Sequence, residues 1–166
     1  MRGYTLQELM LVMLLGVLIT ASGMPLVRRA MTELEDKDLV QLLSIVISLV
    51  HRDFEQSTSY AGVSTANLVS RVPSQWVLDP STLRHPLGGT LTVSVDAADS
   101  GRFVLSLAVQ REDTCERAVM SSWPLFDLIR VDGVNIKTQA MQVPPGATQL
   151  AAACSPGAHQ IQLVGE

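Results

Sequence analysis

The sequence predicts an α+β fold in which one long N-terminal helix lies on an antiparallel β-sheet. Three observations predict it. Leu9 to Val27 runs nineteen residues without a charge. Leu39, Leu42, Leu43, Val46, Leu49, Val50 and Phe54 then recur at three- and four-residue steps, the stripe of a helix that covers a surface. Farther on, Thr90 to Val95 and Phe103 to Val109 alternate their side chains about the polar turn Asp99-Ser100-Gly101, the pattern of a hairpin.

At 1.5 Å per residue the uncharged run would be about 28 Å long as a helix, close to the roughly 30 Å hydrocarbon core of a bilayer. Glu8 sits at its lip and Arg28-Arg29 close it, the two arginines reading as an interfacial edge. A lone carboxylate in lipid costs at least a few kcal/mol, so Glu8 calls for a partner. A secretory signal cut after Ala21-Ser22-Gly23 would need a basic n-region and a shorter apolar run. A core helix would not stay uncharged for so long. A plain signal anchor, with Glu8 snorkelling into the headgroups, remains an alternative. Gly23 and Pro25 weaken the hydrogen bonding of one turn and predict a kink or local melting there. A helix from Tyr4 to about Phe54 would be about 75 Å long, far more than a small domain needs.

From Gln56 to Thr65 the chain is small and polar, a loop or short helical turn. Ala66-Asn67-Leu68-Val69 and Trp76-Val77-Leu78 are apolar patches between Pro73, Pro80 and Pro86. Gly88-Gly89 opens the first clear strand, and the Thr90–Val95 and Phe103–Val109 pair offers one face to the amphipathic helix. Thr114 to Met120 reads as a short helix with Thr114 or Asp113 as N-cap. Leu128 to Val131, the turn Asp132-Gly133, and Val134 to Lys137 form a second hairpin. Pro144-Pro145-Gly146 is a loop, Thr148 to Cys154 a helical turn, and Ile161 to Val164 a closing strand.

Composition narrows the function. The formal net charge of −4 argues against nucleic acid as the main partner, since phosphate binding wants a clustered basic face. The three histidines, His51, His85 and His159, are scattered, and there is no Gly-rich phosphate loop and no Ser/His/Asp spacing. The reading is therefore not an enzyme, with no catalytic residue, no cofactor and no metal. Two distant cysteines with unsupported histidines match no zinc pattern. Glu33, Glu35, Asp36 and Asp38 form a solvated acidic face, Trp76 and Trp123 are core or interface anchors, and Asp132-Gly133 is turn chemistry rather than calcium ligation.

One short stretch is more specific. Arg2-Gly3 followed by Tyr4-Thr5-Leu6-Gln7-Glu8-Leu9-Met10 resembles the class III signal of type IV pilins. That signal is a short basic leader ending in Gly, then an aromatic or apolar residue, Thr-Leu, and a Glu fifth after the cut. Pro25 falls where many pilins carry a helix-loosening proline. Ser57 to Gly62, His85 to Leu91, Leu105-Ser106-Leu107 before Thr114-Cys115, and Asp127 to Gly133 are similar to the type IVb branch: the bundle-forming, toxin-coregulated and conjugative thin-pilus pilins. The leader Met1-Arg2-Gly3 is shorter than is usual in that branch, and Pro25 and the aromatic Tyr4 lean toward the IVa pattern.

The resemblance implies the pilin fold: a helical spine packed on an antiparallel sheet with a disulfide-bounded region. It divides the chain into a leader (1–3), a membrane or filament-core half of the helix (4–27), an amphipathic half (28–55) and a globular domain (56–166). A prepilin peptidase would cut between Gly3 and Tyr4 and methylate the new amine of Tyr4. In a packed bundle Glu8 would pair with the Tyr4 amine of a neighbouring copy. Cys115 and Cys154 would lie outside the cytoplasm, where an even pair forms a disulfide. The implied partners are further copies of the chain, an inner-membrane assembly platform, minor pilins, and a host or recipient-cell surface. The implied location is the inner membrane before assembly and an extracellular fibre after it. A minor pilin, a type II secretion pseudopilin and, from another class, a membrane-anchored monomeric sensor or enzyme are the alternatives.

Overall fold

A computed structural model describes residues 6–166; within the first helix the side chains of Glu8, Leu9, residues 15–26 and Arg28 lie outside the description. The chain divides into two compact units, Met1–Glu35 and Asp36–Glu166. Helix α1 spans Leu6–Phe54, 49 residues without a break in the helical assignment. In the second unit its stripe is buried as the periodicity requires: Leu39, Leu42, Leu43, Val46, Leu49 and Val50 all enter the core. His51 and Arg52 sit in its last turn, where positive charge suits the carbonyl end of the helix dipole. Asp53 forms a bidentate ion pair with Arg71, which anchors the end of α1 to the following segment.

That segment is more ordered than its polar composition suggests. Helix α2, Thr65–Leu68, is a single turn whose Thr65 Oγ1 accepts the backbone N–H of Val93 at 2.7 Å. Tyr60 donates its N–H to the Ser100 carbonyl at 2.8 Å. Its ring lies 5.5 Å from Phe54 and 5.1 Å from Phe103, so rings close the apolar layer at the C-terminal end of α1.

Two strands follow that the apolar pattern does not reveal, β1 (Val77–Asp79) and β2 (Thr82–His85). They are three and four residues long, too short to show alternation, and Pro80 stands between them. The turn is built instead by Asp79, whose Oδ1 accepts the Ser81 N–H at 2.7 Å. Strands β3 (Gly89–Val95) and β4 (Phe103–Val109) pair as the expected hairpin. Helix α3 covers Glu112–Ser122, with Arg111 rather than Thr114 or Asp113 at the N-cap. Thr114 Oγ1 instead donates back to the Arg111 carbonyl at 2.8 Å, and Asp113 holds the Arg111 guanidinium. Glu112 and Asp113 supply the first-turn negative charge in place of a side-chain cap.

Strands β5 (Leu128–Val131) and β6 (Val134–Lys137) form the second hairpin. Asp132 (φ 50°) and Gly133 (φ 82°) make a turn with both central residues left-handed, the hairpin-compatible form. Helix α4, Ala147–Ala153, precedes the last strand, β7 (His159–Gly165). All seven strands join one antiparallel sheet in the order β1-β2-β3-β4-β7-β5-β6. The last strand is thus central, between two hairpins that are separate in sequence. Odd-numbered residues of β3, β4, β7 and β5 face the core with α1, and Thr92, Ser106, Gln162 and Arg130 form a polar row across the opposite face.

Candidate functional site

The N-terminal stretch and the disulfide-bounded region carry the residues singled out in the sequence. Gly3 and Tyr4 lie outside the described residues. Glu8, Gly23 and Pro25 are helical in backbone, and their side chains lie outside the description. Near Glu8 the described side chains are bare. Leu6, Met10, Leu11, Val12, Met13 and Leu14 are 62 to 78 % exposed. Five consecutive residues, Met10 to Leu14, sweep every side of a helix at 100° per residue, so this is no one-sided stripe. A helix that is apolar all round is stable only when covered. Among the described residues no helix is long and apolar enough to cross a membrane, and the middle of the predicted span lies outside them.

In the second unit Cys115 of α3 and Cys154 at the end of α4 are both fully buried and bonded to each other, with Cα atoms 5.7 Å apart. As half-cystines they offer no thiolate to a metal. Two residues into the loop they close, Arg117 donates from Nε and Nη2 to Asp36 of α1, each at 2.9 Å. One member of the acidic face therefore clamps α3 beside its cysteine and is half-buried, while Glu33 and Asp38 are exposed.

Two further contacts, one inside this region and one tying it to the chain beyond Cys154, were not legible from spacing. Lys137, at the end of β6, is buried and donates Nζ to the carbonyls of Trp123 at 2.6 Å and Phe126 at 2.5 Å, lying 5.0 Å from the Trp123 ring centroid. Trp123 is the C-cap of α3, so the lysine satisfies a carbonyl that the helix end leaves open, together with the Phe126 carbonyl of the turn that follows. Lys137→Met keeps the stem's volume and strands both carbonyls. It is expected to lower the unfolding free energy by about 2 kcal/mol, read as a shift of the urea midpoint at unchanged slope.

The second contact is His159 at the start of β7. Its Nδ1 lies 2.6 Å from Asp132 Oδ2, and its Nε2 meets the Ser155 carbonyl. Asp132 Oδ1 also accepts the Gln160 N–H at 2.9 Å. The Asp132-Gly133 turn therefore does more than reverse the chain: it ties the β5–β6 hairpin to β7 and to the segment after Cys154. The Asp132 hydrogen bond, followed by that to Ser155, holds the His159 imidazole above its usual range. Trp76 and Trp123 are buried, as anchors should be.

No protein-family model and no curated protein matches the chain. Among solved structures it is similar to TcpA, a type IV pilin from Vibrio cholerae El Tor biotype, at 13 % sequence identity and a TM-score of 0.53, with 80 % of this chain and 99 % of that one covered. The long N-terminal helix, the antiparallel seven-stranded sheet and the Cys115–Cys154 bond make this the α+β pilin fold.

Proposed function

We propose that the chain is the structural subunit of a type IV pilus, of the IVb kind. The observation that carries the reading is the apolar helix exposed on every side, Met10 to Leu14. Such a surface is answered first by lipid and then by identical helices bundled in a filament core. The fold shared with TcpA, a type IV pilin, supports a subunit role in the same kind of assembly. The Arg2-Gly3-Tyr4 and Glu8 register supports its maturation route. A prepilin peptidase cuts between Gly3 and Tyr4 and methylates Tyr4, and an inner-membrane platform with minor pilins drives polymerisation. The extracellular fibre then serves adhesion, aggregation or mating contact.

The test is N-terminal sequencing and intact mass of the protein recovered from sheared surface filaments. The expected product begins at methylated Tyr4 and dominates the filament fraction. A mature chain that still begins at Met1 and stays monomeric in the membrane overturns the reading. A correctly cut chain that is only a trace component of the filaments identifies a minor pilin instead.

A further inference from the structure

His85 and His159 are both buried, at 2 % and 7 % exposure, and they lie in one transverse row of the sheet. His85 of β2 pairs with Gly89 of β3, and Val109 of β4 pairs with His159 of β7. The next row is Thr90, Ala108 and Gln160, so Gly89 stands opposite Val109. Three strand spacings, about 14 Å, separate their backbone positions across the sheet.

Their surroundings ask for opposite protonation states. His85 Nε2 donates to the Ala108 carbonyl at 3.0 Å, since a carbonyl only accepts. The ring reaches that oxygen over Gly89, where a Cβ would lie 2.6 Å from Nε2 and 1.8 Å from the carbonyl oxygen. Its Nδ1 is buried and has no hydrogen-bond partner among the described residues. A proton there would be a buried donor with nothing to receive it. His159, in contrast, faces an acceptor at each nitrogen, Asp132 Oδ2 and the Ser155 carbonyl, so both nitrogens must carry protons.

We propose that this row makes the Asp36–Glu166 unit respond to acid at one edge only: protonation of His85 releases the β1–β2 hairpin and bares the edge of β3, while His159 keeps the disulfide-bounded side closed. β2 is the weaker side of the sheet by construction, being four residues long and covered outward only by three-residue β1. Once released, β3 presents the Gly89–Leu91 edge that β2 had covered to any other strand, while Val93 keeps its bond to Thr65.

The direction follows from linkage. Burial pushes the His85 imidazole below its usual 6.5, and the bond to Ala108 offsets this only in part. Below about pH 6.5 the released strand takes up a proton that the docked ring resists. Hairpin docking is therefore fully present above that value and is lost as pH falls through the lowered one. His159 has the opposite sign: its clip is intact below about 6.5 and is lost only as pH rises through its raised value. On β1, β3, α2 and the turn Ser74–Trp76, which pack most closely on β2, and on β4, whose Ala108 carbonyl the ring meets, the one titratable side chain is Asp79, and it is held by Ser81. Arg84 of β2 itself is on the exposed face. Around His159 the charges are Asp132 and Glu112 of α3.

The test is amide hydrogen exchange, read by mass spectrometry on the full chain in detergent at about pH 7 and about pH 5, corrected for intrinsic rates. Peptides covering 77–95 should exchange several-fold faster at the lower pH, and those covering 128–137 and 159–165 should not change. His85→Gln keeps a donor for the Ala108 carbonyl but takes no proton, and it should abolish the pH difference. Equal acceleration in the Gln variant, or none in the wild type, overturns the proposal. Should the Gln variant be unfolded at both pH values, the wild-type imidazole titration by NMR decides: a His85 midpoint at or above the ordinary value also overturns it. None of these outcomes depends on filament formation.

Discussion

Replacing Cys115 and Cys154 together by alanine is expected to lower the stability of the Asp36–Glu166 unit by about 4 kcal/mol, the chain-entropy figure for a loop of about forty residues. The sequence separation of 39 sets that size, because the unfolded chain regains the freedom the bond had removed. Alanine suits both sites, which are fully buried, since serine would add two hydroxyls without assured partners. Domains of this size have about 5–15 kcal/mol in all, so the variant should be marginal near body temperature. The loss should show first where the bond is the nearest restraint. α4 is a seven-residue helix with one buried side chain, Leu150, whereas α3 keeps the Asp36–Arg117 clamp and the Lys137 cap. A urea titration of the double variant, set beside the oxidised and the thiol-reduced wild type, checks the magnitude. A loss below about 1 kcal/mol would show the bond to be incidental to stability.

How much of this was legible beforehand depends on the range over which each signal acts. The buried stripe from Leu39 to Val50 and the β3–β4 hairpin could be read directly, because both are local periodicities imposed by one apolar face. β1 and β2 could not, since strands of three and four residues carry too few side chains to establish a period. The place of β7 between β4 and β5 is a tertiary fact: Ile161 to Val164 read as a strand, but nothing near it in the chain says which neighbours it has. The contacts of the disulfide-bounded region were hidden for the same reason. Lys137 at a strand end looks like an ordinary solvated lysine until the end of α3 is brought to it, 11 to 14 residues away in sequence. Asp132 and His159 are 27 residues apart, and only sheet pairing joins them. Arg111 at an N-cap defeats the usual preference because acidic first-turn residues satisfy the helix end electrostatically.

Glu8→Ala is expected to abolish surface fibres while leaving the amount of membrane-inserted protein unchanged. This outcome follows from the proposed assembly and from an asymmetry of buried charge. A desolvated ion pair adds little net stability, because removing two charges from water offsets their attraction. Leaving one of the two unpaired costs about 3–5 kcal/mol, so the penalty falls on every misplaced subunit rather than rewarding the correct one. Glu8 is carried on α1, and in the proposed route the amine on Tyr4 exists only after cleavage at Gly3, so one contact would check both register and processing. Removing the carboxylate strands the neighbour's amine at every repeat, and a penalty of that size at each subunit stops growth. Glu8→Gln should fail as well, which separates charge from size. Insertion should survive in both, since removing a charge from the lip of the Leu9–Val27 run lowers the cost of burying it. The measurements are the sheared-fibre yield and the membrane content of each variant; wild-type fibre yield from either one removes Glu8 from the mechanism.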